Sequence, residues 1–113
     1  MSAYIIARVD VRDRERYGDY MKHTPRVIAQ FGGRFIIRGG AVTTLEGPAE
    51  DRRLVVIEFP SLDQAKAFYA SPEYTAVKAL REGAGDGQFL LVDGHDNAGW
   101  AEVLAASQAL PAP

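Results

Sequence analysis

Cysteine is absent from this chain. Its absence excludes disulfide frameworks, thiolate metal sites, thioether-linked haem and a cysteine nucleophile together. Histidine is scarce: only His23 and His95 occur, so one chain cannot build a three-histidine metal site. No apolar run approaches the roughly 20 residues that a membrane span needs. The start, Met1-Ser2-Ala3-Tyr4, lacks a basic segment followed by an apolar one, so no signal peptide is expected. With no cysteine, this predicts a cytoplasmic protein. Neither sign of charge is in large excess: 13 basic and 15 acidic side chains leave a net charge of -2. Nucleic-acid backbone as the main partner needs clustered uncompensated cations, so it is excluded, and no anionic membrane partner is implied. What remains is one domain's worth of ordinary globular composition: 113 residues, 47% hydrophobic and 25% charged.

Tyr4 to Val11 reads as a strand, rich in β-branched and apolar residues. From Asp13 to Phe31 the period becomes helical, with Tyr17, Tyr20, Met21, Thr24, Val27, Ile28 and Phe31 on one face. Pro25 removes one helical hydrogen bond and is expected to bend the helix near Met21 to Thr24. Gly32-Gly33 ends that helix, and Arg34 to Arg38 is a second strand. A polar stretch from Thr43 to Arg52 leads to a third strand, Leu54 to Phe59. Ser61 and Gln64 form a capping box, and Leu62, Ala65, Phe68 and Tyr69 make the inner face of the helix that follows. Ser71-Pro72 restarts a helix, with Tyr74, Val77 and Leu80 inward until Gly83. A glycine-rich loop, Gly83 to Gly87, precedes a last strand, Gln88 to Val92.

The order β-α-β-β-α-β with right-handed crossovers puts both helical segments on one face of a four-stranded antiparallel sheet. The expected fold class is α+β, a ferredoxin-like sandwich over 1-94. The extension 95-113 is alanine-rich and reads as either a short helix using Trp100, Val103 and Leu104 or a loose tail.

Alternation assigns Ile5, Ala7, Val9, Val11, Phe35, Ile37, Val55, Ile57 and Phe59 to the face under the helices. The opposite face takes Tyr4, Ile6, Arg8, Asp10, Arg34, Ile36, Arg38, Leu54, Val56 and Glu58. A solvated sheet face is normally polar, and this one is too apolar for a monomer. A second copy covers it most simply. The expectation is a homodimer through the face carrying Ile6, Arg8, Ile36, Arg38 and Val56, the two sheets partly closing a barrel. The charges on that face either pair across the contact or bind a ligand's oxyanion.

Several segments together resemble the small proteins of the domain-of-unknown-function family thirteen-thirty. They are Gly32-Gly33-Arg34-Phe35-Ile36-Ile37-Arg38-Gly39-Gly40, Leu45-Glu46-Gly47, Val56-Ile57-Glu58-Phe59-Pro60-Ser61, Ser71-Pro72-Glu73-Tyr74 and Arg81. The likeness runs from about Tyr4 to Gly94 and leaves out the tail. It implies a dimeric α+β barrel. That superfamily includes cofactor-free monooxygenases and isomerases of small aromatic compounds, besides haem-dependent members, so the resemblance does not fix one reaction.

The candidate chemistry rests on few side chains. His23 lies beside the inner stripe of its helix, where an imidazole at a cleft edge moves protons near neutral pH; otherwise it is a partly exposed helix residue. Arg81 shares the inward direction of Tyr74 and Val77 and needs an anion: an internal carboxylate, the helix's own last carbonyls, or a substrate. Tyr17, Tyr20, Tyr69 and Tyr74 either pack in the core or line a pocket for a planar molecule. The glycine-rich loop runs from helix to strand, the wrong context for a dinucleotide fingerprint. No metal site and no cofactor are expected; haem would have only His23 as axial ligand. The sequence thus points to a small homodimeric, cofactor-independent acid-base enzyme of isomerase, cyclase, hydratase or monooxygenase type, acting on a small aromatic or oxo-acid molecule. In that reading His23 carries the proton, Arg38 or Arg81 holds the oxyanion, and Tyr20, Tyr69 and Tyr74 bind substrate. The alternative is a non-catalytic dimer that binds a small metabolite or serves a structural role.

Overall fold

Ala3, Ile5, Ala7 and Val9 alternate with Tyr4, Ile6 and Arg8, and build strand β1 (Ala3–Val11) in the computed structural model, which describes residues 1–113. Asp13 caps helix α1 (Arg14–Gln30) by accepting the Arg16 amide at 3.1 Å. Strands β2 (Arg34–Arg38) and β3 (Arg53–Phe59) follow. Ser61 caps α2 (Leu62–Ala70), and Ser71 with Pro72 at the first position starts α3 (Pro72–Lys78). A 3-10 turn (Ala79–Arg81) leads to β4 (Gly85–Asp93), and α4 (Asn97–Gln108) comes last. The sheet order is β2-β3-β1-β4 with every pair antiparallel, so the fold is the expected ferredoxin-like α+β type. No helix is long and apolar enough to cross a membrane.

The core lies between the sheet and the first three helices. Ala3, Ile5, Ala7 and Val9 of β1 and Val55, Ile57 and Phe59 of β3 meet Tyr17, Tyr20, Val27 and Ile28 of α1 and Phe68, Tyr74 and Val77 of α2 and α3. Gly33 lets α1 turn back onto this layer, since a Cβ there would stand 2.6 Å from the Phe59 ring.

Three local expectations are corrected. First, β2 is bulged at Ile36: Phe35 faces Ile57, but Ile37 faces Val56 and Arg38 faces Val55. One extra residue reverses the side-chain alternation beyond it. Ile37 therefore leaves the helix face and is exposed, while Arg38 leaves the outer face for the helix side. Second, β4 starts at Gly85 rather than Gln88. Gly85 and Gly87 pair with Val11 and Val9, and a Cβ on Gly85 would collide with the Asp10 carbonyl oxygen. Third, Leu80 is exposed, because the chain tightens into a 3-10 turn and loses the 3.6-residue period there. On the outer face, Arg34 holds Glu58 at 3.0 Å and Arg8 holds Glu50 at 3.1 Å within the protomer.

Candidate functional site

Pro25 sets the geometry of the site. Helix α1 runs through it as one element, yet proline has no N–H to give the Met21 carbonyl four residues earlier. Thr24 Oγ1 donates to that oxygen at 3.3 Å, and the Arg38 guanidinium donates to it at 2.9 Å. Arg38 also lies over the Phe35 ring, 4.5 Å from its centroid. The β2 bulge turns Arg38 toward α1, and the carbonyl freed by the proline anchors it.

Arg53 opens β3 in phase with Val55, Ile57 and Phe59, so it too faces the helices. Its Nε is buried without a hydrogen-bond partner. Gly39, in the left-handed region at φ 72°, leaves space across which this guanidinium lies, since a Cβ there would collide with it. Arg38 and Arg53 border a cavity of about 20 Å³ with Tyr17, Tyr20, Met21, Phe35 and Phe89. That space takes about one water-sized group. Tyr17, Met21 and Arg53 also border an open cleft of about 580 Å³ between α1 and the segment 39–53. Arg14, Arg52, Glu50 and Asp51 stand at the outer walls of this cleft. Hydrogen bonds from Arg52 hold the Glu50 carboxyl below its ordinary range, with Arg8 adding to the effect.

Behind the cavity the Tyr20 and Tyr74 hydroxyls share a hydrogen bond of 2.8 Å. Burial, then Tyr74, pushes the Tyr20 phenol far above its usual range, so it stays protonated. Burial also raises Tyr17, against the pull of Arg53 and Arg81. Arg81 lies 4.4 Å over Phe89 and 5.4 Å over Tyr20, and its Nε is likewise buried and unpartnered. Burial opposes the Arg81 charge, but the Tyr74 and Tyr20 phenols outweigh it and leave the guanidinium above its ordinary range. None of Arg38, Arg53 and Arg81 has a carboxylate partner.

The fold thus brings together Arg38, Arg81, Tyr20 and Tyr74. It does not bring His23 to them, and Tyr69 packs its ring against Tyr74 at 5.2 Å without reaching the cavity. His23 is exposed, borders neither the cavity nor the cleft, and donates from Nδ1 to the Asp19 carbonyl at 2.8 Å in its own helix. Tyr69 lies beyond Phe89, under Lys78, and faces a separate apolar groove. Tyr17, one of the phenols expected to pack in the core or line a pocket, joins the cluster, and so does Arg53, which the sequence reading leaves out. Alternation offered a signal for Arg53, a charge in phase with a buried row. No three His, Asp or Glu side chains gather as a metal site would require.

Solved structures share this architecture at low identity. A protein of unknown function from Rhodopseudomonas palustris, RPA0582, superposes with a TM-score of 0.67 at 20% identity, over 84% of this chain and 83% of its own. SnoaB from Streptomyces nogalater, described as a cofactor-independent oxygenase, superposes with 0.55 at 13%, over 85% and 95%. A dimeric protein of unknown function and ferredoxin-like fold from Bacteroides fragilis superposes with 0.50 at 18%, over 82% and 96%. At such identities the likeness concerns the fold alone. No curated protein matches the sequence. The model of the family described as Domain of unknown function (DUF1330) matches residues 2–95, which is most of the chain, and the chain belongs to that family.

Proposed function

We propose that the chain works as a homodimer, outer sheet face to outer sheet face, in which each protomer binds a small aromatic or oxo-acid anion and promotes acid-base chemistry on it without a cofactor. The observation that carries the reading is the set of three guanidinium groups, Arg38, Arg53 and Arg81, gathered with three phenols and no carboxylate. Arg53 and Arg81 are half-buried, each with an unpartnered Nε, and such cations need an anion that a substrate carboxylate or enolate supplies, while Arg38 is exposed beside them. The organic body lies in the open cleft, and one oxygen enters the small cavity between Arg53, Arg38 and Tyr17. Arg53 and Arg38 stabilise the oxyanion of an enol form there, and the Tyr20 ring, held by its hydroxyl bond to Tyr74, walls the cavity. Isomerisation, cyclisation, hydration and oxygenation through an enolate all draw on this stabilisation. SnoaB, described as a cofactor-independent oxygenase, and the dimeric Bacteroides fragilis protein support the cofactor-free and dimeric parts of the reading by analogy of fold.

A non-catalytic metabolite-binding dimer is the second reading, favoured by one observation: the cavity has no imidazole or carboxylate to act as a base. The anion site is common to both. Isothermal titration with benzoate and with pyruvate tests it. Arg53→Ala should weaken binding of the preferred probe about tenfold to a hundredfold, the loss of one hydrogen bond to a charged group. Arg53→Lys should keep part of the affinity, and His23→Ala should change nothing. Equal binding by Arg53→Ala and the unaltered protein would remove the anion site. Exchange of the pyruvate methyl hydrogens for deuterium from solvent, followed by NMR, separates an enzyme that forms an enolate from a binder that does not.

A further inference from the structure

Helix α4 has no packing surface in its own protomer. Its residues are exposed except Gly99, and Trp100, Val103 and Leu104 form an apolar stripe at i, i+3 and i+4. A helix of 12 residues is marginal in water by itself, so this one needs a partner to be stable. The shape of the chain shows how far it projects. The radius of gyration is 17.0 Å and the longest extent 54 Å. A packed domain of this length has a radius of gyration of about 13 Å. The strand before it stays fixed to its end: the Gly94 amide donates to the Ser2 carbonyl at 2.7 Å, leaving His95 and Asp96 as the hinge.

The same fold carries an empty receptacle of matching character. Beside the edge strand β4 and under α2 lies a groove of about 300 Å³, lined by Tyr69, Ala70, Phe89, Leu90 and Leu91, with Lys66 its one charged residue. Lys78 stands over the Tyr69 ring at 4.9 Å. The extension 95–113 holds Asp96 and Glu102 as its only charged side chains besides His95, both acidic. An acidic arm with an apolar stripe thus complements an apolar groove edged by lysine.

We infer that α4 is an exchange arm: its Trp100, Val103 and Leu104 stripe seats in the β4–α2 groove of a second copy of this chain. By two-fold symmetry each protomer gives one arm and receives one. The inference rests on the homodimer proposed above, though not on the sheet face that joins it.

Trp100 is the only tryptophan, so its fluorescence reports on the arm alone. Emission and sedimentation of the full chain are followed together from high to low micromolar and nanomolar concentration. The dimer should emit at short wavelength, and emission should move to that of solvated indole across the same dilution range in which it dissociates. Lys66→Glu sets like charge against the acidic arm on an exposed, fold-neutral position and should raise the dissociation midpoint several-fold; Leu104→Glu should raise it at least tenfold. A dimer whose Trp100 emits as solvated indole at every concentration would overturn the arm while leaving the sheet contact standing. Short-wavelength emission from a sedimenting monomer would overturn it in favour of docking on the same protomer. A monomer with solvated Trp100 at all concentrations would overturn both arm and dimer.

Discussion

Phe68→Ala is expected to destabilise the fold by about 3–5 kcal/mol, a large share of the roughly 5–15 kcal/mol that holds a small domain together. Phe68 is 1% exposed. Its ring sits 4.5 Å from Tyr74, 5.0 Å from Phe59 and 6.1 Å from Phe31, so it joins α3, β3 and the end of α1 at one point. Helix α2 has only nine residues and offers just Ala65 beside it as a fully buried side chain. Truncation therefore removes both the apolar transfer energy and the contacts of three neighbouring rings, and those rings belong to separate elements that cannot all close on the gap. The unfolding midpoint should fall by roughly 12–20 °C. Urea and thermal unfolding measure it, and a loss below about 1 kcal/mol would mean that α2 is held by something other than this ring cluster. Tyr74→Phe is the contrast: it keeps the ring and removes only the partner of the Tyr20 hydroxyl, at a cost of about 1–3 kcal/mol.

The parts of this fold that follow local periodicity and capping were legible in the residues. Apolar alternation gave the strands, the helical stripe from Tyr17 to Phe31 gave α1, and Ser61 and Ser71-Pro72 marked the starts of α2 and α3. What was not legible depended on pairing between strands. Nothing in Arg34-Phe35-Ile36-Ile37-Arg38 signals a bulge, because each residue suits either face. A single extra residue at Ile36 sent Ile37 outward and Arg38 inward, and so moved a site residue across the sheet. Gly85 and Gly87 read as loop because glycine has little strand preference, whereas the close approach of β1 is what demands glycine there. The proline in α1 announced a free carbonyl at Met21, but only the fold shows that Arg38 comes to it. His23 failed as a cleft residue for an angular reason. It lies about 100° round the helix from Thr24, and Thr24 is what faces the sheet, so the imidazole stays in solvent and bonds its own turn.

Ile37→Asp is expected to leave a folded protomer and abolish the proposed homodimer. Simple alternation places this residue in the core, where an unpaired carboxylate would prevent folding. The bulge instead places it opposite Val56 on the outer face, 42% exposed within the protomer. There the charge stays in water as long as the protomer is alone. Ile36 beside it and Leu90 and Val92 on the far edge strand of the same face are all more than 40% exposed, while the charges of Arg34 and Glu58 already neutralise each other. Burying this face against a copy therefore costs little in unpaired charge and gains apolar contact. An aspartate at position 37 reverses that balance, and two-fold symmetry introduces it twice. With an effective penalty of about 3 kcal/mol per buried ion, the dimer should weaken on the order of 10⁴-fold. Sedimentation at micromolar concentration should then show a monomer, while circular dichroism and the thermal midpoint stay near those of the unaltered chain. Loss of folding would mean that Ile37 belongs to the core and that β2 pairs without the bulge. A folded Ile37→Asp dimer would mean that the sheet faces do not meet; if Trp100 were still shielded in it, the α4 arms alone would hold the two copies together.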